Sequence, residues 1–82
     1  MKQFENFENK AKRYAENLRK LRVFNGLTRG QLAKKCGMVQ GSIAHYEKRG
    51  ALPNVLYAHA IAKVLGVTVD DMIEKDFEVK MK

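Results

Sequence analysis

Thr28-Arg29-Gly30-Gln31-Leu32-Ala33-Lys34-Lys35-Cys36-Gly37-Met38-Val39-Gln40-Gly41-Ser42-Ile43-Ala44-His45-Tyr46-Glu47-Lys48-Arg49 is the stretch whose pattern decides the fold. It opens on a capping-box spacing, in which the Thr28 hydroxyl accepts a backbone N–H and Gln31 reaches back. A short helix over Arg29–Cys36 follows, with Leu32, Ala33 and Cys36 inward and Gly30 weakening its first turn. Gly37 ends it after two turns. A second helical pattern begins near Gln40, with Ile43 and Tyr46 on its buried side and Gln40, Gly41, Ala44, His45 and Lys48 on the remaining face.

Upstream, Phe4, Phe7, Ala11, Tyr14, Leu18 and Leu21 recur at spacings of three and four. That is the apolar stripe of one amphipathic helix, with Lys10, Lys12, Arg13, Arg19 and Lys20 largely outside it, and Gly26 supplies its stop. Downstream, Arg49 to Pro53 reads as a loop, and Asn54 caps a helix whose core face is Val55, Ala58, Ile61, Ala62 and Leu65. Gly66 stops that helix. Thr68 caps a last short one through Ile73, with Asp70 and Asp71 in its first turn. From Phe77 to Lys82 apolar and charged residues alternate, which is a strand period, and a lone strand must pair or fray.

The chain has 82 residues, 45% apolar and 30% charged, enough for one domain with a modest core and too apolar for a disordered chain. No apolar run approaches the roughly 18 residues of a membrane span, and the N-terminus lacks a signal-peptide stretch. One cysteine makes no internal disulfide, so a reducing cytoplasm is the expected location. The net charge of +7 is uneven: residues 1–36 carry ten Lys/Arg against three Glu, and residues 51–82 carry four Lys against five acids. The first half therefore suits a polyanion. No paired carboxylates, activated nucleophile or phosphate-cradling loop is present, so no enzyme, cofactor or metal is expected. The Phe and Tyr residues fall on helical apolar faces and offer no stacking platform for RNA.

Two short helices joined by a tight glycine turn have the spacing of a helix-turn-helix unit, here residues 28–49. A B-DNA major groove, about 12 Å wide, admits one helix, so the first helix braces on the backbone while the second enters. Leu18-Arg19-Lys20-Leu21-Arg22, Gly26-Leu27-Thr28, Gln31-Leu32-Ala33, Gly37, Ser42-Ile43, Glu47, Pro53-Asn54 and Leu65-Gly66-Val67 together resemble the Cro and phage-repressor (Cro/C1-type) family of helix-turn-helix transcriptional regulators. The resemblance covers about residues 15–73 and needs no insertion from Gly26 to Glu47.

It implies an all-α, five-helix, lambda-repressor-like DNA-binding domain over residues 1–75 with an extended first helix. Residues 76–82 follow as a tail or dimerisation strand. It also implies residue roles. Gln40, Gly41 and His45 fall where family members touch base edges: Gln40 pairs with adenine, His45 donates to guanine or reaches a phosphate, and Gly41 admits a thymine methyl or is silent. Thr28, Arg29 and Ser42 fall at phosphate-contact positions, with Lys48 and Arg49 adding phosphate contacts from the far end. Arg22 and Glu47 match a partly buried ion pair that links the first helix to the recognition helix.

Three departures from the pattern stand out. Val39 sits where Ser or Thr usually caps the recognition helix, the 49–53 loop is less basic than in some members, and the extension bearing Phe4 and Phe7 has no family role. Family members bind palindromic double-stranded DNA as dimers. Leu56, Ala60 and Val64 form a second apolar stripe, and with Val69, Phe77, Val79 and Met81 they are the expected homodimer surface. The rival is that Phe4 and Phe7 fold over that stripe within one chain. The expected function is a dimeric autorepressor of phage, plasmid or mobile-element type, or a restriction–modification controller, with no small-molecule ligand. The alternative is an antitoxin-type module whose main partner is a toxin.

Overall fold

The computed structural model describes residues 2–78, with side chains from Phe7 onward, and places five helices: α1 (Lys2–Phe24), α2 (Arg29–Cys36), α3 (Gln40–Arg49), α4 (Val55–Leu65) and α5 (Val69–Glu74). Their starts are set locally. Thr28 and Gln31 close a full capping box on α2, and Thr68 with Asp71 does the same on α5. Asn54 accepts the Tyr57 N–H at 2.9 Å to start α4. Val39, by contrast, makes no side-chain cap for α3. The Ser42 N–H bonds the Val39 carbonyl at 3.1 Å instead.

The core draws on every helix. Tyr14, Leu18 and Leu21 of α1 pack with Leu32 and Ala33 of α2, Ile43 of α3, Ile61, Ala62 and Leu65 of α4, and Met72 of α5. Two sequence expectations are corrected. Val55 is 78% exposed, because α4 meets the core only from Ala58 onward. Among the described residues, the apolar stripe of α1 is buried only from Tyr14, and Phe7 remains 60% exposed. Phe7 does not cover the Leu56–Ala60–Val64 stripe. It lines an open apolar groove of about 180 Å³ with Ala11, Leu52, Pro53, Ala58 and Ile73. The side chain of Phe4 lies outside the described residues.

The described part of the tail is not a strand. Lys75 to Glu78 run as irregular chain beside α1, held by Asn17, a buried residue in the middle of that helix. Its amide donates to the carbonyls of Met72 at 2.9 Å and Lys75 at 2.6 Å, and its oxygen accepts the Phe77 N–H at 3.3 Å. Arg13 Nε donates to Asp76 at 2.9 Å beside it. Phe77 is half-buried on the core as a result.

Tyr14 is buried, and among the described residues its hydroxyl has no hydrogen-bond partner. Burial pushes this phenol well above its ordinary 10.0, with Tyr46 and Cys36 adding to the shift. The folded state therefore keeps a proton that the unfolded chain loses above about pH 10, and stability falls as pH rises through that range. Tyr14→Phe is expected to hold or gain stability, by up to about 1 kcal/mol, because the lost hydroxyl was unpaired. Its melting temperature should also fall less steeply above pH 10 than the parent's. Thermal melts at pH 7 and at alkaline pH check both, and a loss of stability at pH 7 would mean the hydroxyl is satisfied.

Candidate nucleic-acid interface

The turn between α2 and α3 is built by Gly37, whose φ of 72° lies in the left-handed region that glycine alone enters without strain. The Gly37 and Met38 N–H groups close α2 on the carbonyls of Lys34 and Ala33. The chain then turns sharply, and Ile43, fully buried, pins the inner face of α3.

With Ile43 inward, helical spacing puts Gly41, His45 and Lys48 on the opposite side, flanked by Gln40 on one edge and by Ser42 and Arg49 on the other. Gln40, Gly41, His45, Lys48 and Arg49 are exposed, as is Thr28 at the start of α2, while Ser42 is half-buried. This outer face carries two cations and no exposed acid, since the one carboxylate on α3 points into the protein.

That carboxylate belongs to Glu47, whose side chain is 1% exposed. Arg22 Nε donates to its Oε2 at 2.7 Å and Nη2 to its Oε1 at 3.2 Å, the fork geometry in which arginine binds a carboxylate most strongly. Arg22 Nη1 also donates to the Leu27 carbonyl at 2.8 Å, so one guanidinium ties α1 to α3 and to the entry of α2. The ion pair expected from the resemblance is thus present, with a third member. Arg29 Nε donates to Glu47 Oε1 at 3.0 Å. Arg29, expected at a phosphate, thus has its Nε on Glu47, while its two terminal nitrogens take no partner among the described residues. The triad holds two cations and one anion, so it stays positive where α2 begins.

The residues expected at a dimer surface separate on inspection. Leu56 is 77% exposed, next to Val55 and Tyr57 at the start of α4. Ala60 is half-buried, and Val64, Val69 and Phe77 pack partly on their own chain's core. Val79 lies outside the described residues. Among the described residues no group of His, Cys, Asp or Glu could hold a metal ion, and no helix is long and apolar enough to cross a membrane.

Contacts between elements that the sequence did not foretell include Asn17 with the tail, Lys10 with Glu74, Arg13 with Asp76, Arg29 with Glu47, and Gln40 with Gly30. Only the first left a signal, a polar residue set between Tyr14 and Leu21 at core spacing.

Residues 18–72 match the model of a family described as helix-turn-helix. No curated protein and no solved structure matches the chain.

Proposed function

Since the chain belongs to the Cro/C1-type helix-turn-helix family of DNA-binding transcription regulators, we propose that it is a dimeric repressor reading a palindromic operator with α3. The observation that carries this proposal is the outer face of α3. Its base-reading candidates Gln40, Gly41 and His45 stand beside the cations Lys48 and Arg49, and its only carboxylate is buried against two arginines. Gln40 and His45 hydrogen-bond base edges, while Thr28, Arg29, Ser42, Lys48 and Arg49 hold the phosphates. Arg29 serves through its terminal nitrogens, with its Nε still on Glu47.

One recognition helix spans too few bases for selectivity, and two chains at half-sites one helical turn apart double the contacts. The exposed Val55-Leu56 pair on α4 supports a second copy packing there, with Ala60 and Val64 at the edge of that contact. The family is regulatory rather than enzymatic, and we place its action in the cytoplasm on the chain's own promoter, as in a phage, plasmid or mobile-element repressor or a controller protein.

The test is fluorescence anisotropy on the upstream intergenic DNA and on a scrambled duplex at about 0.15 M salt. A specific reader is expected to prefer the native fragment by about 10³-fold or more. A Gln40→Ala, His45→Ala variant with unchanged circular dichroism should lose about 10- to 100-fold of that preference. Sedimentation of the same complex should show two chains per operator. Equal, steeply salt-dependent binding to both duplexes would be phosphate attraction alone and would overturn the operator reading. One chain per duplex would remove the dimer.

A further inference from the structure

Gly30 is the second residue of α2, and its backbone is not among the left-handed glycines of the chain. Nothing in its conformation calls for glycine, and glycine weakens a helix relative to alanine. Its neighbour sets the position apart. A methyl group on Gly30 would lie 3.1 Å from Gln40 Oε1 and 3.6 Å from Gln40 Cδ, with Thr28 Oγ1 next at 3.9 Å. The first of these is closer than side-chain carbons ordinarily come. The Gln40 carboxamide therefore rests across the bare Cα of Gly30, over the first turn of α2. The free N–H groups of a helix start make that turn a positive end, which suits an oxygen. Gly41, one residue along, has open space where its methyl would stand, so crowding does not select glycine there.

We propose that Gly30 is a specificity-determining position for operator reading: its missing side chain gives the Gln40 amide a seat on α2 and so fixes where that amide meets a base edge. The proposal rests on the assignment of Gln40 as a base-contacting residue. Gln40 is exposed at the start of α3, where its side chain would otherwise sample several rotamers. A seat against α2 narrows that choice before DNA arrives and lowers the ordering cost of the contact. A methyl at Gly30 pushes the amide outward by a few tenths of an ångström or into another rotamer. Hydrogen bonds to base edges depend steeply on distance and angle, so a displaced amide meets a different pattern of donors and acceptors. Gly30 need touch no nucleotide; it acts through Gln40.

The test uses the full chain with Gly30→Ala, Gln40→Ala and the double variant. Each is presented with a pool of duplexes whose centre is randomised, and the relative affinity for the four bases is read at each half-site position. Gly30→Ala is expected to change the preference at one position by about tenfold, and Gln40→Ala to flatten that same position. In the Gln40→Ala background, adding Gly30→Ala should change nothing beyond about twofold. Thermal melting of Gly30→Ala without DNA should lie at or above the parent's, because alanine strengthens α2, so the altered preference will not be an effect of unfolding.

An unchanged preference in Gly30→Ala, or a change that persists without the Gln40 side chain, overturns the proposal while leaving Gln40 as a base reader. A Gly30→Ala variant melting well below the parent also overturns it, since the glycine would then serve the packing of α2. If Gln40→Ala flattens no position, or the parent enriches no sequence, the proposal and the assignment beneath it fall together.

Discussion

Glu47→Ala is expected to destabilise the protein by about 3–5 kcal/mol, the scale seen when one partner of a buried ion pair is removed. The carboxylate is 1% exposed and accepts three guanidinium hydrogen bonds, two from Arg22 and one from Arg29. Alanine would leave two like charges facing each other, one of them on a side chain only 11% exposed. Glu47→Gln keeps the volume and one acceptor oxygen and should cost less, about 1.5–3 kcal/mol, the worth of hydrogen bonds to charged groups. Arg29→Ala should cost at most about 1 kcal/mol, because its side chain is 30% exposed and its pairing is screened by water. Urea denaturation of the three variants gives the order directly. A Glu47→Ala loss under about 1 kcal/mol would mean that α3 is held by its apolar face alone. On the proposed reading of DNA by α3, loss of DNA binding in Glu47→Ala should track its unfolded fraction. In Arg29→Ala, binding should weaken with the fold intact, the mark of a lost phosphate contact.

The contrast between Glu47 and Arg29 shows where the sequence was informative. Periodicity and caps gave five helices, because a buried stripe and a capping residue are each written within a few neighbouring positions. Thr28, Asn54 and Thr68 all cap as their spacing predicts. The Arg22–Glu47 pair followed from the family resemblance. Arg29 bonding Glu47, eighteen residues on, had no such marker, because a surface arginine at a helix start looks the same whether it faces solvent or a neighbouring carboxylate. Val55 failed for a related reason. Its spacing to Ala58 continues the core stripe, but burial depends on whether another element covers the first turn of α4, and among the described residues none does. The outer face of α3 was legible in outline, since Ile43 fixes which side points inward. The seat of Gln40 on Gly30 was not, because it depends on how closely two helices approach.

Asn17→Ala is expected to cost about 3 kcal/mol, from unsatisfied carbonyl and N–H groups left buried or half-buried. Its amide donates to Met72 and Lys75 as α5 ends, and its oxygen receives the Phe77 N–H, so one side chain closes a helix terminus and anchors the chain after it. The nearby ion pairs do not substitute for it. Lys10–Glu74 and Arg13–Asp76 are exposed, with the acids 57% and 77% accessible, and Asp76→Ala should change stability by less than about 1 kcal/mol. Asn17→Leu separates polar from steric effects: it fills the space but satisfies none of the three groups, so it should be about as damaging as alanine. The apolar alternation from Phe77 onward then takes on a different meaning. Phe77 is turned inward by a hydrogen bond to α1 rather than offered as the first residue of a pairing strand. Hydrogen exchange of the Phe77 amide gives a local readout, with protection expected in the parent and lost in Asn17→Ala. An Asn17→Ala variant that keeps both its stability and that protection would show that Phe77 packing alone holds the tail.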